Sequence, residues 1–192
     1  MDGQQFDRVQ TLDGNRNPPN PFRVRAIRAF STSDVVACKD GGLCKVGDIG
    51  PGGGTVFYVA PDLLIAYGMQ WRYIEAYTSF RGTVTLCRYP DRERVETYGS
   101  FGSGYENTQA LVKHCGAPQT LGYRIGNKTD WYIPGFDELE FAAKYLKLNG
   151  EYWSSQVVGR KAKKAFVLIQ GEKHRAPVTD SYPVILFRRF GS

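Results

Sequence analysis

The stretch VGDIGPGGGTVFYV, residues Val46 to Val59, decides how the chain enters its fold, because four glycines and a proline within residues 50–54 precede a run of β-branched and aromatic residues. A phosphate-binding loop requires a Lys-Ser/Thr pair after its glycines and then a helix. Here Thr55 follows without a lysine, and the residues from Val56 to Val59 are typical of a strand. The sequence therefore predicts a tight turn that leads into a core strand and binds no phosphate.

The rest of the chain has two helix patterns in its middle and strand patterns on either side of them. The first predicted helix has Asn107 as its N-cap and ends at Gly116. The second begins after Pro134, carries apolar residues at helical spacing and ends near Gly150. The apolar residues of the second helix are Leu139, Ala142, Ala143 and Leu146, and the predicted strands are Val56–Ala60, Arg72–Tyr77 and Ala165–Gln170. Two central helices with strands on either side predict an α+β fold.

Length and composition are those of one globular domain with an extension. The chain has 192 residues, 42% of them hydrophobic, with 22 glycines and 10 prolines that favour many turns over a helical bundle. The formal charge of +6 favours polyanionic partners in general but selects none of them. No apolar run is long enough to span a bilayer, and the polar N-terminus does not resemble a signal peptide, so we expect neither a membrane anchor nor export.

Four cysteines lie at irregular spacing, without the CxxC pairs of zinc ribbons or thioredoxin-like sites. An even count of this kind favours disulfides. Cys38 and Cys44 bracket a flexible Lys-Asp-Gly-Gly-Leu span that can close a small loop, which leaves Cys87 to pair with Cys115. Such bonds fit a protein that matures outside a reducing cytosol.

The N-terminal residues 1–21 are polar and broken by prolines, and cannot bury enough surface to fold alone. We expect residues 1–30 to form an extended arm and a strand, ahead of a domain formed by residues 31–192. The segment Phe22–Phe30 resembles Tyr182–Phe190, so it could be the tail of a preceding module or could occupy a neighbour's sheet. The arm is therefore predicted to leave its own domain and contact other subunits through its few apolar anchors, which are Phe6, Val9, Leu12 and Phe22.

Six blocks follow one another between residues 45 and 190: GDIGPGGGTVFYV, WRYIEAY, GSGYENTQALVKHCG, TDWYIPGFDELEFAAKYL, EYWSS and VILFRRF. In this order they resemble the Lcl_C-type domain, the family named for the C-terminal domain of a Legionella collagen-like adhesin. The resemblance implies a C-type-lectin-like domain with two helices, a mixed or antiparallel sheet and long loops that carry binding. It also implies an occurrence in bacterial surface proteins and in phage tail and virion proteins.

The aromatic residues of these blocks are expected to build the core. Trp131 and Trp153 offer large apolar area with one N–H each to satisfy, and Tyr132 and Tyr152 flank them. Pro134 is expected at the opening of the second helix, where its missing N–H is harmless.

Calcium-dependent lectins of the implied fold need a Glu-Pro-Asn or Gln-Pro-Asp loop and a Trp-Asn-Asp strand, and the sequence contains neither. Asn127, Asp130 and Asp137 carry oxygen ligands. However, Asp137 and Glu138 fall in the first turn of a predicted helix, where carboxylates stabilise the helix dipole without a metal. No metal and no cofactor are predicted.

The one candidate for nucleophilic catalysis is His114 beside Cys115. Adjacent helical side chains point about 100° apart, so the imidazole would not reach the thiol. We expect Cys115 in a disulfide and His114 on the solvent face. Formylglycine-generating enzymes share the implied fold but need a reactive cysteine pair late in the chain, and no cysteine follows Cys115. The protein is predicted not to be an enzyme.

A basic hairpin is predicted near the C-terminal end. Its candidate polyanion-binding residues are Arg160, Lys161, Lys163, Lys164, Lys173 and Arg175. The favoured interpretation is a solvated turn whose lysines block unwanted strand pairing. The alternative is a cationic edge that binds sulfated or phosphorylated polymers.

Two functions follow from these patterns. The first is a non-enzymatic structural protein of a phage virion, a lectin-like module on the tail or capsid that its arm holds to other virion proteins or to copies of itself. The second is a bacterial cell-surface adhesin module that binds anionic glycans. Neither involves nucleic acid or membrane insertion.

Overall fold

The computed structural model describes residues 36–66, 69–88, 94–116, 123–159 and 161–191. The chain divides between residues 34 and 35, so the described residues belong to its second part. The predicted arm with its anchors Phe6, Val9, Leu12 and Phe22 lies outside the described residues, and so does Arg160. No helix within the described ranges is long and apolar enough to cross a membrane.

The first sheet joins the glycine-rich hairpin to a distant strand. Strands β1 (Thr55–Ala66) and β2 (Met69–Tyr77) are antiparallel, and β8 (Leu186–Phe190) pairs with the other edge of β2. The strand order is β1-β2-β8. The register places Glu75 opposite Arg188, which brings two charged residues together in a sheet whose strands are mostly apolar.

Two further antiparallel sheets complete the strand content of the described residues. Strand β3 (Thr83–Thr85) pairs with β7 (Ser181–Pro183), and the three-stranded sheet β4-β5-β6 follows the helices. Its strands are Glu151–Val158, Lys164–Ile169 and Glu172–Pro177. The predicted basic hairpin is therefore confirmed. It consists of β5 and β6, and β6 is its exposed outer strand. Together with two helices, these sheets confirm the α+β class.

Helix α1 spans Gly104–Cys115 and therefore begins before the predicted start. The prediction that Asn107 caps this helix is wrong, because Ser103 holds the cap position and Asn107 lies inside the helix. The Asn107 side chain instead accepts a hydrogen bond from the Tyr98 N–H at 2.7 Å and donates one to the Tyr98 carbonyl at 2.9 Å. Its amide thus binds a preceding loop rather than its own helix. The predicted end is correct, since Gly116 adopts a left-handed conformation.

Helix α2 spans Phe136–Leu146. The helix begins after Pro134, as predicted, but Pro134 is not its first residue, because Gly135 is the N-cap. The helix also ends earlier than near Gly150, at a left-handed Lys147 with φ of 50°. Its predicted apolar face is confirmed, with Leu139 and Ala142 fully buried.

The tryptophans lie in the core, as predicted. Trp131 and Trp153 are fully buried in one apolar cluster. The Trp153 Nε1–H donates to the Val84 carbonyl at 3.0 Å, whereas Trp131 Nε1 has no hydrogen-bond partner among the described residues. Tyr132 is also fully buried, and Tyr152 is half-buried. These aromatic side chains therefore contribute mainly to the core.

Both predicted disulfides are present. Cys38 and Cys44 are bonded at 2.09 Å, and Cys87 and Cys115 at 2.10 Å. The first closes a separation of 6 residues around a short 3-10 helix, Cys38–Asp40. The second spans 28 residues and fixes the end of α1 to the segment after β3.

Removal of the disulfide between Cys87 and Cys115, which closes the longer loop, is expected to lower the free energy of unfolding more than removal of the disulfide between Cys38 and Cys44. Loop-closure entropy gives about 3 to 4 kcal/mol for the bond between Cys87 and Cys115 and about 2 kcal/mol for the bond between Cys38 and Cys44. Urea unfolding of the two double Cys→Ala variants, at one pH under oxidising conditions, measures the difference. An equal loss, or a larger loss for the Cys38 and Cys44 pair, would contradict this order.

Candidate functional site

The glycine turn is closed by its own backbone. The Gly50 N–H donates to the Gly54 carbonyl at 2.8 Å, and the Gly53 N–H donates to the Gly50 carbonyl at 2.9 Å. Gly53 has a φ of 85°, which a side chain would strain. A Cβ at Gly52 would lie 2.7 Å from both Glu75 Oε1 and Trp131 Cζ2. The turn thus needs glycine for backbone conformation and for close packing, as predicted.

The glycine turn binds the carboxylate of Glu75, a residue of the same chain. The amides of Gly52 and Gly54 donate to the Glu75 carboxylate at 3.0 and 2.9 Å. Arg188 Nη1 donates to the same carboxylate at 2.9 Å, and Arg188 Nε binds Asp130 Oδ1 at 2.6 Å. The loop that looks like a phosphate cradle therefore uses its amides internally.

Glu75 is fully buried, so its charge needs these partners. Burial raises the pKa of Glu75, while Arg188 and the amides of Gly54 and Gly52 lower it. Loss of one partner from a buried ion pair typically costs about 3 to 5 kcal/mol, because the other charge is left uncompensated. The cluster is therefore a structural centre that links the glycine turn, β2, β8 and the Asp130 segment.

A second buried carboxylate joins the starts of both helices. Glu138 Oε2 accepts the Gly135 N–H at 2.7 Å and the Gly104 N–H at 3.0 Å. Its Oε1 accepts the Tyr132 hydroxyl at 3.0 Å. Burial raises the pKa of Glu138 to about 7, against the lowering effect of these donors and of Arg189. The prediction that Glu138 only stabilises a helix dipole was incomplete, because the side chain is wholly buried and caps two helices.

A small cavity of about 100 Å³ lies beside Arg189. Arg189 Nη1 donates to the Gly102 carbonyl at 2.6 Å, and its Nη2 donates to Glu106 Oε1 at 2.7 Å. The guanidinium carbon lies 5.3 to 5.7 Å from the centres of three aromatic rings. The cavity lining consists of Gln70, Trp71, Tyr105, Asp130, Tyr132 and Arg189.

The predicted basic residues lie partly on one face of the hairpin. The register places Phe166 opposite Arg175, and Lys164 and Lys173 belong to the same face. Lys173 Nζ lies 4.1 Å from the centre of the Phe166 ring and 4.3 Å from that of Phe136. Lys161 and Lys163 are exposed in the turn before β5. Five of the six predicted cations are thus on or next to this hairpin, and Arg160 is not described.

The residues considered for metal binding and catalysis do not form such a site in the described residues. Asp130 pairs with Arg188, Asp137 is exposed, and no three His, Cys, Asp or Glu side chains there could hold a metal ion. The Cys115 sulfur is bonded to another cysteine. His114 is half-buried and lines a surface pocket with Arg94, Glu96 and Ala110.

Sequence reasoning missed Glu75, Arg188 and Glu138 as organising residues. The available signal was a charged residue inside an otherwise apolar strand, as in WRYIEAY and VILFRRF. Buried charges in such positions are paired. The identity of the partners still depended on the register between strands that are far apart in the sequence.

Glu138 is expected to make stability depend on pH. Its pKa is about 7 in the folded protein and near the ordinary 4.5 in the unfolded chain, so the folded state binds more protons between these values. The free energy of unfolding should therefore fall as pH rises from about 4.5 to about 7, by up to about 1.4 kcal/mol per pH unit from this group. The variant Glu138→Gln should lack this part of the slope in urea unfolding at several pH values.

The matched control for this experiment is Glu140→Gln, an exposed glutamate on the same helix. It should keep the pH dependence of the unaltered protein. If Glu138→Gln and Glu140→Gln gave the same slope, the assignment of the titration to Glu138 would be wrong.

No family model matches the chain, and no curated protein matches it. The likeness to the Lcl_C-type domain accordingly stays a resemblance that rests on the six sequence blocks.

Proposed function

We propose that the protein is a non-enzymatic structural component of a phage virion, a lectin-like module on the tail or capsid that its N-terminal residues 1–30 attach to the particle. Two sequence features support this proposal: the resemblance to Lcl_C-type domains, and the polar, proline-broken arm. The structural observation that carries it is an exposed aliphatic cleft in the stretch that follows the arm along the chain.

The aliphatic cleft is lined in part by Val36, Leu43 and Ile49 and has a volume of about 590 Å³. Leu43 is 80% exposed, Val36 54% and Ile49 51%. Among the side chains that the structure describes, every exposed large aliphatic residue lies between residues 36 and 49. A concentration of exposed apolar side chains is typical of a protein contact surface.

The disulfide between Cys38 and Cys44 crosses this stretch and limits the conformations of Leu43. A constrained loop loses less conformational entropy when it binds than a free loop does. The cleft therefore loses less conformational entropy on binding than a free loop would, and we assign it to attachment within the particle together with the arm.

Deletion of residues 1–21 should leave a folded, soluble domain that no longer enters the particle. Leu43→Asp should lower incorporation about tenfold, because burial of an unpaired carboxylate costs at least about 1.4 kcal/mol. Immunoblots of purified particles measure incorporation, and near-ultraviolet circular dichroism checks the fold.

The control for the cleft is Tyr145→Asp, which places the same charge at a 55% exposed position on α2. It should incorporate normally. Normal incorporation of the truncated protein would remove the main support for the virion role.

A bacterial surface adhesin module that binds anionic glycans is the second candidate, and the basic hairpin face supports it. Lys164, Lys173 and Arg175 share that face. The Lys173 ammonium group lies over two aromatic rings, which positions it without neutralising it. The face is therefore preorganised for sulfate or phosphate groups.

Heparin chromatography tests this second role. The double variant Lys164→Gln/Lys173→Gln should elute from the column at a clearly lower salt concentration than the unaltered protein. The reason is that charge attraction holds the protein to the polyanion, and salt screens this attraction. The matched control, Lys113→Gln/Lys144→Gln, removes two exposed lysines from the helices. Equal elution of the two double variants would exclude a role for the hairpin face.

A further inference from the structure

A groove of about 700 Å³ shares the exposed side chains of Val36 and Leu43 with the aliphatic cleft. Its lining also includes Tyr73 and Phe190, which lie opposite each other in β2 and β8 with their ring centres 5.1 Å apart. We call this feature the β8 groove. It continues the apolar surface of the cleft onto the end of the first sheet.

The β8 groove carries positive charge that the described residues do not neutralise. Arg72 and Lys128, both half-buried, line it, and neither forms an ion pair within the described ranges. Arg188 also lines it but is paired with Glu75 and Asp130. No described residue of the lining is acidic. A segment that presents carboxylates beside apolar side chains therefore complements this groove.

The sequence contains such a segment in the arm. Phe6 and Leu12, two of its apolar anchors, are each followed directly by an aspartate, Asp7 and Asp13. Residues 1–13 contain three aspartates and one arginine, whereas residues 14–33 contain four arginines and no acidic residue. The acidic charge of the arm is thus concentrated where its anchors lie, although the whole chain has a formal charge of +6.

The arm and the groove are complementary parts that every copy of the chain possesses. The proposed attachment takes the arm away from its own domain, so the groove of each copy is left for the arm of another. Asp13 precedes Val36 by 23 residues, which can span at most about 75 Å. A domain of this size is only roughly 40 Å across, so the acidic segment can reach a neighbouring copy.

We infer that residues 6–13 of one copy bind the β8 groove of a second copy, with their apolar anchors against its apolar lining and their aspartates near Lys128. Each copy offers one arm and one groove, so the contact is head-to-tail and produces a closed ring or an open filament. The inference rests on the proposed function in its use of the arm for attachment, and it identifies the attachment partner as another copy of this chain.

Sedimentation velocity of the full-length protein tests whether copies associate. The mean mass should rise with concentration between about 1 and 100 µM, the range in which contacts of modest affinity become populated. A rise in salt from about 50 mM to about 500 mM should weaken the association, because salt screens the attraction between the aspartates and the cations of the groove.

Two double variants locate the contact. The groove variant, Leu43→Asp/Lys128→Glu, should weaken association by about tenfold or more, because it places like charges opposite each other. Its matched control is Lys144→Glu/Tyr145→Asp, which makes the same change of charge at exposed positions of α2 and should associate normally. Near-ultraviolet circular dichroism checks that each variant is folded.

The arm variant, Phe6→Ser/Leu12→Ser, removes two apolar anchors and should also weaken association by about tenfold or more. Its matched control is Gln4→Ser/Gln10→Ser, which changes two polar residues of the same segment and should associate normally. The arm variant alters no described residue, so it tests the contact even where the groove variant does not fold.

An equimolar mixture of the groove variant and the arm variant is the most specific test. The groove variant keeps an intact arm, and the arm variant keeps an intact groove. The mixture should therefore form a complex of two chains and nothing larger, although each variant alone stays monomeric. A general loss of stability would not be repaired by mixing.

Three outcomes would overturn the inference. One is a full-length protein that stays monomeric up to about 100 µM. Another is association that either the groove variant or the arm variant retains at full strength, since the contact would then lie elsewhere. The third is the failure of the folded variants to form a two-chain complex when mixed.

The virion role is judged separately, by incorporation into particles. Normal incorporation of a chain that does not associate with itself would overturn this inference and leave the virion role standing. Association of a chain that never enters a particle would contradict the virion role and leave the contact between copies standing.

Discussion

The ion pair between Glu75 and Arg188 is the constraint on which the first sheet depends. A carboxylate with no solvent exposure is tolerated in β2 because one guanidinium and two glycine amides surround it. The same guanidinium reaches Asp130, so four separate segments meet at one charge cluster. The glycines of the turn are required for this reason, since a Cβ at Gly52 would occupy the space of the carboxylate.

Glu138 repeats this arrangement with a different balance of partners. Both buried glutamates accept amide hydrogens from glycines, but Glu138 has a tyrosine hydroxyl where Glu75 has a guanidinium. A neutral donor stabilises a carboxylate less than a cation does. The Glu75 carboxylate thus holds strands together through charge. The Glu138 carboxylate joins the starts of two helices through hydrogen bonds, and its pKa of about 7 lies close to neutral pH.

The features that the sequence predicts well are those that local pattern determines. The strand after the glycine turn, the apolar face of α2 and the two disulfides depend on residues close in the chain or on an unambiguous pairing. Asn107 shows the limit of local rules, because a loop that folds back onto the helix competes for its amide. The cavity beside Arg189 depends on residues from β2, α1 and β8, whose proximity is set only by tertiary packing.

The separation of the ion pair along the chain matters during synthesis. Arg188 follows Glu75 by 113 residues, so a ribosome that adds about 5 to 20 residues per second delivers the arginine roughly 6 to 23 s after the glutamate. During that interval the hairpin of β1 and β2 can form with the glycine amides as the only partners of the carboxylate. The nascent hairpin therefore holds a charge that its own turn can solvate but not neutralise, and closure of the sheet waits for the C-terminal strand.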